Sequence, residues 1–254
     1  MNMLEKIVEA TKLRVEHDKA SPFTPSRTSP LQPFAFEQAL RGNGMHFVCE
    51  VKQASPSKGI IAHDFPYVNI AQDYETAGAT AISVLTEPDF FHGSDVFLQE
   101  IRAAVRTPLL RKDFTLDIFQ IEQAAYLGAD AVLLICAILD EQQLRDFIRL
   151  ADKLELSCLV EAHDEIELRT ALRAGARVVG VNNRNLKTFH VDLHNSIRLR
   201  KLAPPEIIFV AESGIRTAKD VQLLREHHIH AALVGEALMR APCKQTALEV
   251  LREG

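Results

Sequence analysis

The chain has 254 residues, 47% of them hydrophobic, and a formal net charge of −5. That is enough apolar material for one large core, while a net negative balance with no basic stripe offers nucleic acid no phosphate-neutralising surface. No apolar run approaches the ~20 residues of a membrane span, and Met1–Ala20 is charged throughout without the apolar centre of a signal peptide, so a cytoplasmic protein with no membrane partner is expected.

The first 45 residues read as an extension. Leu4, Ile7, Val8, Lys12 and Val15 recur at near-helical spacing. Ser21–Pro33 holds four prolines among serines and threonines and reads as a loop. Phe34–Leu40 fits a second short helix. Such an extension can brace the surface of the main domain or lie across one end of it.

From residue 46 a unit repeats. Phe47–Lys52 is an apolar run carrying Glu50 and Lys52, which share one face of a strand because side chains alternate. It breaks into Gln53-Ala54-Ser55-Pro56-Ser57-Lys58-Gly59. The same design returns at Ala81–Thr86, Leu109–Phe114, Ala131–Ile135, Ser157–Glu161, Val178–Arg184, Ile207–Gly214 and Ala231–Glu236, eight runs in all. Helical spacing fills the gaps, as in Ile118, Ile121, Ala124 and Ala125, or Leu144, Ile148, Ala151 and Leu154.

Near-continuous apolar strands alternating with amphipathic helices imply a parallel sheet covered on its faces. Eight such units in about 250 residues predict an α/β fold, a single (β/α)8 TIM barrel domain over 1–254, with 1–45 as helical extension and 46–254 as barrel. A doubly wound open sheet is the alternative, but the Gly-x-Gly-x-x-Gly of a dinucleotide binder is absent. Cys49, Cys136, Cys158 and Cys243 lie far apart and read as core residues of a reducing compartment, not a disulfide framework.

Catalytic groups of such barrels stand at the C-terminal strand ends. Those ends carry Glu50, Lys52, Lys112, Glu161, Asn182, Arg184, Glu212 and Ser213. Converging charges tune proton affinity: a lysine among cations gives up its proton more easily, and a carboxylate in an apolar pocket holds one. Each residue alone would also serve as a structural ion pair. Gly214 and Gly235 follow the seventh and eighth runs, where backbone N–H groups commonly receive phosphate, and Glu236 is expected to turn away. His227, His228 and His230 fall at the opposite barrel end, so they are expected to be solvated or to cap and not to bind metal.

Several stretches in order resemble indole-3-glycerol phosphate synthase. They are Glu50–Gly59, Leu85–Pro88 with Phe91–Ser94, Leu110–Phe114, Val160–His163, Gly180–Leu186, Ala211–Ile215 and Val234–Met239. The resemblance spans nearly the whole chain and implies a lyase of tryptophan biosynthesis acting on a phosphosugar, 1-(2-carboxyphenylamino)-1-deoxyribulose 5-phosphate. Ring closure, decarboxylation and dehydration would give indole-3-glycerol phosphate, with no cofactor and no metal.

Carried over residue by residue, the resemblance makes Lys112 the proton donor to the ketose oxygen. Lys52 and Arg184 would meet the carboxylate, and Glu161 and Glu50 would serve dehydration. Asn182 and Glu212 would orient. Ser55, Ser213, Gly214 and Gly235, with Lys52 or Lys58 nearby, would take the phosphate, and Phe91, Phe114, Leu133 and Leu186 would form the aromatic slot. Two rivals remain: the isomerase acting one step earlier, whose Cys/Asp pair Cys49 cannot supply if parity turns it outward, and a phosphate-binding barrel without activity.

Overall fold

The computed structural model describes residues 1–20, 23–24, 27–185 and 190–254. Eight strands, β1 (His46–Val51), β2 (Ala81–Leu85), β3 (Leu109–Lys112), β4 (Ala131–Ile135), β5 (Ser157–Ala162), β6 (Val178–Asn182), β7 (Ile208–Glu212) and β8 (Ala231–Val234), succeed one another around a closed barrel. Every pairing is parallel, and β1 closes onto β8 through His46 opposite Ala231. Helices run between the strands, so the TIM barrel expected from the repeats is the fold. A small antiparallel hairpin, Ala54–Ser55 against Gly59–Ile60, is added just after β1.

Alternation along each strand splits the core into two layers. Cys49, Val51, Ile82, Val84, Val132 and Leu134 face outward and pack under the helices. Val48, Leu110, Leu159, Val178 and Val210 face inward. The next inward position toward the C-terminal end of those five strands is Glu50, Lys112, Glu161, Gly180 and Glu212. An apolar layer therefore fills the lower barrel and a charged layer lies on it. Cys49 points away from the interior, as parity predicted.

The extension holds both ends. Helix α1 (Met3–Asp18) starts in an Asn2/Glu5 capping box and buries Ile7, Thr11 and Val15. Lys12, placed in the stripe by its spacing, is exposed, and Thr11 takes that place. Met3, Leu4 and Ile7 reach the C-terminal mouth. The chain then runs down the barrel wall, where Phe23 stacks on Tyr126 at 5.1 Å and Thr28 donates its N–H to the Ala125 carbonyl at 3.1 Å. Helix α2 (Ala35–Ala39) plugs the far end: Phe36 and Leu40 are wholly buried in the inward layer, and the Glu37 N–H is donated to Ser157 Oγ at 3.1 Å. Both helices thus lie at ends of the barrel, and the segment between them braces its wall.

Candidate active site

The inward charged layer forms the floor of a cavity at the C-terminal mouth. Its walls come from the strand ends, the loop after β1 and the first turns of α1. Glu50, Lys52, Lys112, Glu161, Asn182, Arg184 and Glu212 all line it. So do Ser55, Phe91, Phe114, Leu133, Ser213, Gly214 and Gly235. Leu186, expected in the aromatic slot, lies outside the described residues.

Two ion pairs organise the floor. Lys112 Nζ lies 2.5 Å from Glu212 Oε2 and 3.6 Å from Glu161 Oε2, with its side chain 13% exposed. Lys52 is paired with Glu50. The expectation that cations around Lys112 would loosen its proton is overturned. Burial alone would push its proton affinity down, but Glu212, Glu161 and Glu50 outweigh it and hold the ammonium charged well above the ordinary lysine range.

The carboxylates diverge. Burial pushes Glu212 up to about 7 against the pull of Lys112, with repulsion from Glu161 and Glu50 adding to it. For Glu161 burial is overcome by Lys112, His163 and a hydrogen bond from Asn182 Nδ2 at 3.3 Å, so it is held below the ordinary range. A protonated acid and an ionised base can thus coexist a few ångströms apart near neutral pH.

Small residues make room for these groups. A β carbon at Gly180 would overlap Glu212 Oε1, and one at Gly235 would overlap Glu50 Oε1 and meet Lys52 Nζ at 2.9 Å. Gly235 therefore has a second task besides any phosphate contact. Gly214 sits at φ +88°, and a β carbon there would run into the Val191 side chain. Glu236, expected to turn away, pairs with Arg240 at 3.1 Å and Lys58 at 3.8 Å but still lines the cavity.

Sequence reasoning gave no role to Asp113, Arg14 or His163. Asp113, buried beside Lys112, accepts from Arg14 of α1 at 2.7 Å and from Thr86 at 2.9 Å. Burial would raise its pKa, but Arg14 and Arg111 bring it below the usual range. Nothing in sequence spacing ties Arg14 to a partner 99 residues away. His163 follows the end of β5, with its Nε2 3.4 Å from Glu161 Oε1.

Among the described residues no group of three or more His, Cys, Asp or Glu is arranged to hold a metal ion. His227 Nδ1 donates to the Leu223 carbonyl at 2.9 Å and His230 Nδ1 accepts from the Phe209 N–H at 3.0 Å, the capping contacts expected of them.

Comparisons with known proteins identify the family and the fold. A family described as indole-3-glycerol phosphate synthase matches residues 4–251. An indole-3-glycerol phosphate synthase of Ruminiclostridium cellulolyticum is 56% identical, covering 98% of each chain. Another, of Endomicrobium trichonymphae, is 52% identical over 94% of this chain and 95% of its own. Among solved structures, 3-hexulose-6-phosphate synthase from Salmonella typhimurium superposes with a TM-score of 0.68 at 15% identity, covering 82% of this chain and 97% of that one, which speaks to the fold.

Proposed function

The chain belongs to the indole-3-glycerol phosphate synthase family, and from that premise we propose how its pocket runs the reaction. The protein is a decarboxylating lyase of tryptophan biosynthesis. It closes the five-membered ring of 1-(2-carboxyphenylamino)-1-deoxyribulose 5-phosphate, then releases carbon dioxide and water.

The substrate needs three seats. Its phosphate goes to Ser55, Ser213 and the glycine-bearing turns at Gly214 and Gly235, with Lys58 at the rim. Its aromatic ring goes to the slot of Phe91 and Phe114, whose rings lie 6.0 Å apart, with Leu133 beneath. Its carboxylate faces Lys52 and Arg184. That group must leave, so these cations steer more than they clamp, since tight ground-state binding would raise the barrier.

Ring closure turns the ketose carbonyl into an alkoxide, very unfavourable in a dry cavity without a proton. Lys112 supplies it. Its raised proton affinity is no obstacle, because an alkoxide is a far stronger base than an amine. The carboxylates that hold the ammonium charged also fix its position, with Asn182 orienting Glu161 and Glu212 orienting Lys112. In dehydration Lys52, with Glu50, protonates the departing hydroxyl, and Glu161 accepts the proton lost from the carbon beside nitrogen.

The observation that carries this reading is the Lys112 ammonium held between Glu212 and Glu161 on the cavity floor. The Cys/Asp isomerase alternative loses ground: Cys49 faces the helices and burial pushes its thiol up to about 12. We take 1–254 as one folding unit with the extension included, acting in the cytoplasm without cofactor, metal or nucleic acid. Four free cysteines support the cytoplasmic setting.

Mixing the protein with the carboxyphenylamino-deoxyribulose phosphate in the presence of chelator tests the reading. The chain has no tryptophan, so growing indole emission reports product. A folded protein giving no emission would refute the assignment, and emission abolished by chelator would refute cofactor independence.

A further inference from the structure

The proposed chemistry takes up a proton that the cavity must import. The ring carbon bearing the ionised carboxylate attacks the carbonyl carbon, and the C=O pair becomes an alkoxide that gains one proton. The C–COO⁻ bond then breaks, its electron pair returns to the ring and neutral CO2 departs. The hydroxyl gains a second proton and leaves as water, while the carbon beside nitrogen gives one up. Two protons enter and one leaves, so each turnover consumes one.

With substrate in the cavity and α1 over the mouth, the floor carboxylates are cut off from solvent. Glu161 is 6% exposed. Two residues further along stands His163, which is not among the residues lining the cavity. Its Nε2 is buried without a hydrogen-bond partner and lies 3.4 Å from Glu161 Oε1. Its Nδ1 lies 3.1 Å from Glu167 Oε2, on the helix Glu165–Ala174, and the same oxygen accepts the His163 N–H at 2.7 Å. Asn195 Nδ2 donates to the His163 carbonyl at 3.0 Å and fixes that backbone from the next helix. Exposure rises along the row, from 6% at Glu161 to 15% at His163 and 22% at Glu167.

We propose that Glu161, His163 and Glu167 form a proton port, through which the proton consumed in each turnover reaches the floor without crossing the substrate cavity. The port rests on the reading of Glu161 as a proton-handling group. The imidazolium passes its Nε2 proton to Glu161, which returns it to Lys112, 3.6 Å away; the neutral ring then rotates outward, regains an Nε2 proton from water and swings back. Glu167 holds the ring in orientation and favours its charged form.

The surroundings suit that task. The charged groups acting on His163 are Glu161 on the preceding strand, Glu167 on the following helix and Glu212 on β7, and Cys136 after β4 lies close to the same Glu161 and Glu167 and to Asp164. Burial alone would lower the proton affinity of His163, but Glu167 and Glu161 leave it raised. Cys136 does not compete, because burial pushes its thiol up to about 12.

His163 acts through Glu161, so the test must separate proton delivery from shape. In weakly buffered solution His163→Asn should turn over about tenfold more slowly with little change in KM. Added imidazole should restore the rate in proportion to imidazolium concentration. Glu167→Gln keeps the ring but loses its counter-charge, so the alkaline limit of kcat should move to lower pH. A His163→Asn enzyme as fast as wild type, or slow and deaf to imidazole, overturns the port. If that variant does not fold, an unmoved alkaline limit in Glu167→Gln overturns it instead. A wild-type chain that releases no CO2 from the substrate refutes the assigned reaction itself.

Discussion

Gly180 on β6 stands against the Glu212 carboxylate of β7 so closely that a β carbon would occupy the place of Oε1. The carboxylate that fixes Lys112 thus depends on a missing side chain one strand away. Gly180→Ala should push Glu212 off Lys112 and lower kcat by about tenfold to a hundredfold, with a smaller effect on phosphate-dependent binding. Normal turnover in that variant would show that the Glu212–Lys112 contact is dispensable.

Lys112 itself gives the sharpest loss. Lys112→Ala removes the proposed donor to the alkoxide and should cut turnover by about a hundredfold to ten-thousandfold. Binding of a phosphate-bearing product analogue, measured by calorimetry, should stay largely intact. Near-normal turnover would take the acid role away from Lys112.

Glu212 should leave a mark on stability against pH. Its folded-state pKa, at about 7, lies above the ordinary carboxylate value, so between about pH 4.5 and 7 the folded state holds a proton that the unfolded state has released. This group's contribution to stability is therefore present at the acidic end of that window and declines as pH rises through it. Glu212→Gln removes the titrating group, so its melting temperature should fall less steeply from pH 5 to pH 7.5 than that of wild type. Parallel curves would contradict the raised value.

Arg14 ties α1 to the residue beside Lys112. Arg14→Ala leaves buried Asp113 with Arg111 at 3.4 Å as its remaining guanidinium partner. Breaking a buried pair costs about 3–5 kcal/mol when both ions are fully desolvated. Arg14 keeps 18% exposure, so about 2 kcal/mol is expected, read as a lower urea midpoint. KM should rise with it, because Met3, Leu4 and Ile7 line the cavity from the same helix. Arg14→Lys should recover part of both effects, and an unchanged KM would disconnect α1 from substrate binding.

Gly214 tests the phosphate turn. Its positive φ and the Val191 contact mean that Gly214→Val should distort the turn itself, raising KM more than it lowers kcat. A change confined to kcat would move the phosphate seat elsewhere.

The sequence by itself determined the barrel, because eight apolar runs separated by helical spacing leave a covered parallel sheet as the economical way to bury them. It also determined which strand-end side chains face the barrel interior. Alternation along a strand is a local rule, so Glu50, Lys112, Glu161 and Glu212 could be placed on the inner face without knowing what they would meet.

Only the tertiary structure decided what those residues meet. Whether Lys112 sits among cations or carboxylates depends on which side chains of β1, β5 and β7 fold over it, and the inference from charge clustering alone had the sign reversed. The links from Arg14 to Asp113 and from Gly180 to Glu212 are equally invisible in spacing. Electrostatics and steric exclusion act over a few ångströms of space, whereas sequence records distance along the chain, and barrel closure brings the two together.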